Sequence, residues 1–215
     1  MSDELILPVF PLPEVILFPR TMLPLHIFEK RYRKLVKDLL NRPESERLMV
    51  ITTMTDASNK GEEDFERIAT VGRLVHHEPL PDGRSNIVIQ GQFTVKIEEI
   101  EPSPNSYRMC RIVSIREEFW MDPLQDRDEQ HKKLMDAIHK FMDRTNSRIE
   151  NLDVVGIDDL INGLAFSLNI ETIDKQELLE EQTLDKRLDL LIYILDQIGY
   201  YTNYIPDEQE YTDIN

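Results

Sequence analysis

Residues 5–40 read LILPVFPLPEVILFPRTMLPLHIFEKRYRKLVKDLL, and this stretch decides how the rest of the chain is arranged. Proline lacks an amide donor and holds φ near −65°, so a helix does not run through it. The apolar part of the stretch is interrupted by five prolines: Pro8, Pro11, Pro13, Pro19 and Pro24. We therefore predict short extended segments and turns whose apolar side chains need burial.

The second part of the stretch changes to a charged, amphipathic pattern. Its apolar residues recur at the spacing of one helical face: Phe28, Tyr32, Leu35, Val36 and Leu39. The pattern predicts a helix from Glu29 to about Leu40 that covers one side of the fold, with Phe28 on the apolar face.

The segments that follow are typical of strands. They are rich in β-branched residues or alternate in polarity, and they cover residues 48–54, 68–77, 86–100 and 107–118. Gly72 and Gly91 interrupt two of them, as glycines at bulges or close backbone approaches do. Pro81, Asp82 and Gly83 predict a tight turn. Kinked strands joined by tight turns favour a curled sheet or a partly closed barrel.

From residue 121 the composition changes to helix formers, with apolar stripes that predict four helices in a small bundle. The chain is therefore predicted to be α+β. We expect a β-barrel subdomain at residues 1–118, a helical subdomain at residues 119–201 and a disordered acidic tail at residues 202–215.

Several motifs resemble the amino-terminal, substrate-binding domain of the Lon proteases. The opening stretch carries LP-x-x-PL, a V-x-x-FP turn and a helix start after Glu29, and LPDGR at residues 80–84 matches the hairpin of that family. Lys175–Glu180, read as KQELLE, is similar to the end of the family's domain. The resemblance covers nearly the whole chain.

This resemblance implies a fold, a domain composition and a function. The fold is a PUA-like β pseudo-barrel with one covering helix, followed by a small α-helical bundle. The expected domain composition is a stand-alone domain without the ATPase and protease domains of full-length Lon. The function is non-enzymatic binding of unfolded or extended protein segments, and a Lon-type protease is an implied partner.

Charge is distributed unevenly along the chain. The net charge is −16, and residues 117–215 contribute −15 of it with 9 Lys and Arg against 24 Asp and Glu. Phosphate backbones are bound chiefly by Lys and Arg, so the second half is unsuited to nucleic acid or an anionic membrane. We therefore expect no nucleic-acid partner, and an RNA- or nucleotide-binding module, a role that PUA-like barrels perform elsewhere, stays the alternative hypothesis.

Compartment signals point to the cytoplasm. The apolar runs are shorter than the roughly 20 residues of a membrane span, and Asp3 and Glu4 stand where a secretory signal carries positive charge. A single cysteine, Cys110, excludes an intramolecular disulfide. We expect a cytoplasmic protein without a membrane partner.

The chemistry-bearing residues do not form a recognisable catalytic pattern. No glycine-rich phosphate loop is present. His76 and His77 are adjacent on a predicted strand and point to opposite faces, so they are poorly placed to share a metal ion. Cys110 lies among alternating strand residues, where a buried structural cysteine is the common case. We expect no catalytic residues, no metal and no cofactor.

The candidate binding residues are large apolar side chains at predicted turns and junctions, where complete burial is difficult. They are Phe18, Pro19, Met22, Leu23, Phe119 and Trp120. The alternative is that these side chains join the barrel to the helices. The sequence leaves both interpretations open, as it does the oligomeric state.

Overall fold

The computed structural model describes residues 5–55, 65–115, 127–146, 148–149, 156–181 and 183–201. Phe119, Trp120, the predicted subdomain boundary at residue 118 and the predicted tail at residues 202–215 lie outside these ranges. Within them the chain forms six strands and five α-helices, with one short 3₁₀ helix at Glu44–Glu46. This mixture confirms the predicted α+β class.

The strands occupy the first half of the chain and the helices mostly the second. The strands are β1 (Leu5–Leu12), β2 (Met22–Ile27), β3 (Leu48–Thr53), β4 (Ile68–Pro79), β5 (Ser85–Glu101) and β6 (Met109–Ser114). The helices are α1 (Lys30–Leu40), α2 (Arg127–Thr145), α3 (Ile157–Ser167), α4 (Thr172–Glu180) and α5 (Leu184–Tyr201).

The sheet curls into a ring with one additional strand. Its order is β2-β5-β4-β3-β1-β6, and β5 also pairs with β6, so β1, β3, β4, β5 and β6 close on themselves. β1 and β3 are parallel, while the other pairs are antiparallel. β2 pairs only with the first half of β5, beside the ring. The predicted curled sheet is confirmed, and β2 is its edge strand.

The covering helix α1 packs on the ring through its apolar stripe. Tyr32, Leu35, Val36 and Leu39 are buried in a cluster with side chains of β1–β5. Tyr32 lies against Phe10 of β1, with ring centroids 3.9 Å apart. This packing agrees with the predicted position of the helix.

Phe28 departs from that prediction, because it lies outside the helix. The helix begins at Lys30, and the residue before it, Glu29, has an extended backbone (φ −67°, ψ 135°). A side chain ahead of the first helical turn does not continue the helical stripe. Phe28 is therefore 62% exposed instead of buried.

The helices α2–α5 share a second apolar core, and the turn between β1 and β2 reaches into it. Ile16 and Phe18 are buried among side chains of these helices, and Phe18 has 0% exposure. The backbone of the same turn contacts β5 at Gly91, where the Phe18 carbonyl leaves no room for a Cβ atom. One turn therefore contacts both the ring and the helices.

Polar contacts reinforce this junction. The Gln176 side chain of α4 donates to the backbone oxygen of Ile68 on β4 at 3.1 Å. Arg20, in the turn, pairs with Asp159 of α3 at 2.7 Å. Because Gln176 is buried, its bond is the more consequential of the two; exposed ion pairs contribute little.

Truncating Phe18 tests whether this turn holds the ring and the helices together. We expect Phe18→Ala to lower the free energy of unfolding by about 3–5 kcal/mol, because a fully buried aromatic side chain leaves a cavity. Met22→Ala, in the neighbouring strand but exposed, should cost less than about 1 kcal/mol. Urea denaturation measures both. A Phe18→Ala cost below about 1 kcal/mol would contradict the described packing.

Tyr107 provides a second test, of the contact between α1 and the segment before β6. Its hydroxyl donates to Asp38 Oδ2 at 2.8 Å, and burial followed by this bond raises the pKa of Tyr107 to about 12. The folded state therefore keeps a proton that the unfolded chain loses near pH 10. The stabilisation is complete below about pH 10 and declines as pH rises towards about 12.

Ultraviolet titration of the tyrosines measures this shift. The Tyr107→Phe variant should lack one tyrosine that ionises near pH 12. An unchanged high-pH end of the titration in this variant would contradict the raised pKa of Tyr107.

Candidate functional site

The predicted binding residues divide into buried and exposed ones. Phe18, Pro19 and Leu23 are buried, so in this structure they have no surface to offer a partner. Phe18 instead joins the helical core, as the alternative interpretation proposed. Met22 is 49% exposed. Phe119 and Trp120 lie outside the described residues, and their role stays a prediction.

Met22 belongs to an exposed face of β2. Alternate residues of a strand share one face, and Met22, Pro24 and His26 are all exposed. Phe28, two residues further, continues this exposed series. The face leads from the turn at the start of β2 towards the beginning of α1.

An apolar groove opens where this face ends. It has a volume of about 480 Å³ and is bordered by the last residues of β1, the end of β2, the start of α1 and Met54. Nine of its twelve lining residues are apolar or aromatic: Phe10, Pro11, Leu12, Pro13, Leu25, Ile27, Phe28, Tyr32 and Met54. We call this cavity the β1–β2 groove.

The β1–β2 groove borders strand segments that have no strand partner on one side. β1 pairs with β6 through Leu5–Pro8 and with β3 through Val9–Leu12, so its last residues have a neighbour on one edge only. β2 has β5 as its neighbour on one edge. Among the described strands nothing pairs with the other edge of either segment. Such edges usually attract a further strand.

Proline removes the amide donor from the free edge of β1. The Leu12 carbonyl accepts from Met54 on the β3 side, whereas the Val9 amide donates to Arg108 on the opposite side. Because successive residues of a strand direct their polar groups to alternate edges, Pro11 faces the same edge as Val9, beyond the Val9–Arg108 bond, where β1 has no strand partner among the described residues. Pro11 has no amide with which to extend the ladder.

The same arrangement occurs on β2. The Thr21 carbonyl accepts from Gly91 of β5, so alternation directs Leu23 and Leu25 to β5 and Pro24 to the free edge. Each free edge therefore has a proline at a position where another residue would offer a backbone amide donor. Backbone pairing with an added strand is weakened, and apolar side chains are left as the main means of contact.

The rim of the β1–β2 groove combines exposed apolar surface with a few polar groups. Phe28 is 62% and Met54 is 45% exposed, and the His26 ring stacks near Phe28 at 6.4 Å between centroids. Arg31 donates to Glu29 Oε2 at 2.9 Å and lies over the Tyr32 ring at 4.6 Å. This is the composition of a site that takes apolar side chains and orients them with a small number of polar contacts.

Sequence reasoning missed this groove for two reasons. The spacing of Phe28 fits the apolar stripe of the helix and predicts burial, and Met54 fits the end of a predicted strand. Tertiary structure alone brings Phe28 and Met54, which are 26 positions apart, to the same groove. A usable signal was present in Pro11 and Pro24, since prolines inside strands mark free edges.

The residues that could bind a metal ion or act as a nucleophile do not cluster in the described part of the chain. Within those ranges no group of three or more His, Cys, Asp or Glu side chains is arranged to hold a metal ion. Cys110 is buried on β6. No helix of the described residues has both the length and the apolar character needed to cross a membrane.

A curled barrel joined to a helical core, with an open apolar groove at its free strand edges, is the architecture of a binding module. The chain belongs to the ATP-dependent protease La (LON) substrate-binding domain family, whose sequence pattern it matches over residues 6–197. The resemblance seen in the opening stretch is thereby confirmed.

Curated relatives are similar over most of this chain. The Lon protease of Vibrio parahaemolyticus is 24% identical and that of Cytophaga hutchinsonii 26% identical, each over 89% of the chain. The Escherichia coli Lon protease is 22% identical over 91% of the chain. The chain spans about a quarter of the length of these relatives, since 24–25% of each is covered.

Solved structures agree with the fold. The N-terminal domain of Mycobacterium avium complex Lon protease matches with a TM-score of 0.65 at 14% identity, covering 89% of this chain and 98% of that one. The Lon N-terminal domain protein from Xanthomonas campestris matches with a TM-score of 0.63 at 19% identity, covering 88% and 98%. At these identities the likeness concerns the fold alone.

Proposed function

We propose that this chain is a non-enzymatic module that binds unfolded or extended protein segments by taking their apolar side chains into the β1–β2 groove. The groove itself supports the proposal: it has apolar walls and exposed Phe28 and Met54, and it borders strand edges at which prolines weaken backbone pairing. Exposed apolar surface of this kind is rare unless it serves binding.

The occupant is a polypeptide because of the family to which the chain belongs. The family is named for substrate binding within ATP-dependent proteases, and its curated members matched here are Lon proteases. Unfolded segments present apolar side chains that folded proteins hide. The chain would therefore select clients by exposed apolar residues, and a Lon-type protease is the partner that would act on them.

Met22 is an additional contact in this proposal. It lies on the exposed face of β2 that ends at Phe28, so a segment longer than the groove would extend along that face. Phe119 and Trp120 stay candidates on their sequence position alone.

A binding titration with matched variants tests the proposal. The probe is a fluorescently labelled, unstructured peptide with two leucines and a phenylalanine, and its control carries serines instead. We expect the double variant Phe28→Ser/Met54→Ser to lose at least about tenfold in affinity, because desolvating one large apolar side chain contributes about 1.5–3 kcal/mol. Fluorescence anisotropy measures the change.

The chain provides a matched control in α4 and α5. Ile173 and Tyr193 are as exposed as Phe28 but lie on helices that contribute no residue to the groove lining. Ile173→Ser/Tyr193→Ser should leave affinity within about twofold. Equal losses in both double variants, or none in either, would refute the groove as the binding site.

A further inference from the structure

A second cavity lies beside α1 and has the opposite chemistry. Its volume is about 710 Å³, and it is bordered by α1 and by the hairpin that joins β4 to β5. Its charged and titratable lining is mainly basic: Lys30, Arg33, Lys34, Lys37, Arg84 and His77, with Asp38 as the acidic member. We call this cavity the cationic pocket.

The sequence of α1 produces this concentration of charge. Lys30, Arg33, Lys34 and Lys37 stand at spacings of three and four residues, which places them on one side of the helix. The apolar stripe with Leu35 and Leu39 faces the ring. The basic side is therefore displayed to solvent by the same packing that buries the apolar side.

The hairpin completes the wall of the pocket. Gly83, at φ +79°, approaches the Arg33 guanidinium so closely that a Cβ atom would not fit between them. Asp82 fixes Arg84, with Oδ2 2.6 Å from Arg84 Nε. The tight turn thus holds one arginine in place and packs against another.

Several of these cations have no acidic partner among the described residues. Lys34 is paired with Asp38 at 2.6 Å and Arg84 with Asp82, whereas Lys30, Arg33 and Lys37 have no ion pair with any described residue. Grouped in one cavity, these cations give it a local positive charge, although the chain as a whole carries −16 and residues 117–215 contribute −15 of it. An anionic group would be drawn to this cavity.

The cationic pocket and the β1–β2 groove adjoin each other. His26 lines the groove and Arg84 lines the pocket, and His26 Nε2 lies 3.4 Å from Arg84 Nη1. At the start of α1, Phe28 and Arg31 belong to the groove while Lys30 belongs to the pocket. An extended peptide advances about 3.3–3.6 Å per residue, so a few residues span from one cavity to the other.

We infer that the cationic pocket binds acidic side chains of the same polypeptide segment whose apolar side chains occupy the β1–β2 groove. The preferred client would be a segment in which apolar residues are followed or preceded by Asp or Glu. This inference rests on the proposed function and specifies its substrate class. A peptide is favoured over nucleic acid because the pocket lining includes no Phe, Tyr or Trp on which bases would stack.

Two peptides and two pairs of charge reversals test the inference. One labelled peptide carries the apolar residues flanked by three glutamates, and the other has glutamines in their place. Wild-type protein should bind the glutamate peptide at least about tenfold more tightly at low salt, with the preference declining as salt rises. In Lys30→Glu/Lys37→Glu the preference should vanish, with affinity for the glutamine peptide unchanged within about twofold.

The control is Lys96→Glu/Lys140→Glu, which makes the same change of charge at exposed lysines that line neither cavity. This control variant should keep the preference for the glutamate peptide. That result would show that the preference depends on the charge of the cationic pocket and not on the net charge of the protein. Equal binding of the two peptides by wild type, or a preference that survives Lys30→Glu/Lys37→Glu, would overturn the inference.

The proposed function and this inference fail in different ways. If the glutamine peptide binds and Phe28→Ser/Met54→Ser abolishes its binding, the groove is correct even when the glutamates add nothing. If neither peptide binds, both the proposed function and the inference about the cationic pocket are refuted. A single-stranded RNA oligonucleotide that binds more tightly than the glutamate peptide, and loses affinity in Lys30→Glu/Lys37→Glu, would assign the pocket to nucleic acid instead.

Discussion

The structure depends on the prolines of its opening stretch, which prevent residues 5–27 from becoming one continuous element. Pro13 and Pro19 lie in the turn between β1 and β2, and this turn carries Phe18 into the helical core while β2 lies at the edge of the sheet. Pro11 and Pro24 also leave the free edges of both strands without a central amide donor. The same prolines therefore shape both the fold and the free strand edges that border the β1–β2 groove.

The position of Phe18 explains why the ring and the helices form one structure. Its side chain lies in the core of α2–α5, while its carbonyl touches Gly91 of β5 and accepts from Thr21. The two free strand edges and the start of α1 are assembled on the ring side of this junction, where the β1–β2 groove and the cationic pocket meet. Under the proposed function, one apolar and one basic cavity on adjoining surfaces would favour clients that combine both kinds of side chain.

Local patterns were sufficient for most elements and for the class of fold. Strand alternation, the Pro81-Asp82-Gly83 turn and the stripe of α1 depend on neighbours within a few residues, and each appears where it was predicted. Exposure was less predictable. Phe18 is buried by helices that lie more than 100 residues away in the sequence. Phe28 is exposed because the helix begins only at Lys30. The exposed apolar surface therefore lies at the β1–β2 groove and not at the turn that precedes it.

In the proposed function the β1–β2 groove recognises side chains and does not add a strand to the sheet. Replacing the backbone amides of the apolar peptide by esters removes its donors and preserves its side chains. Calorimetric titration of the amide and ester peptides compares their affinities directly. The two affinities should lie within about threefold of each other, because Pro11 and Pro24 prevent a full ladder. A loss of more than about tenfold on esterification would contradict this expectation and would indicate strand addition.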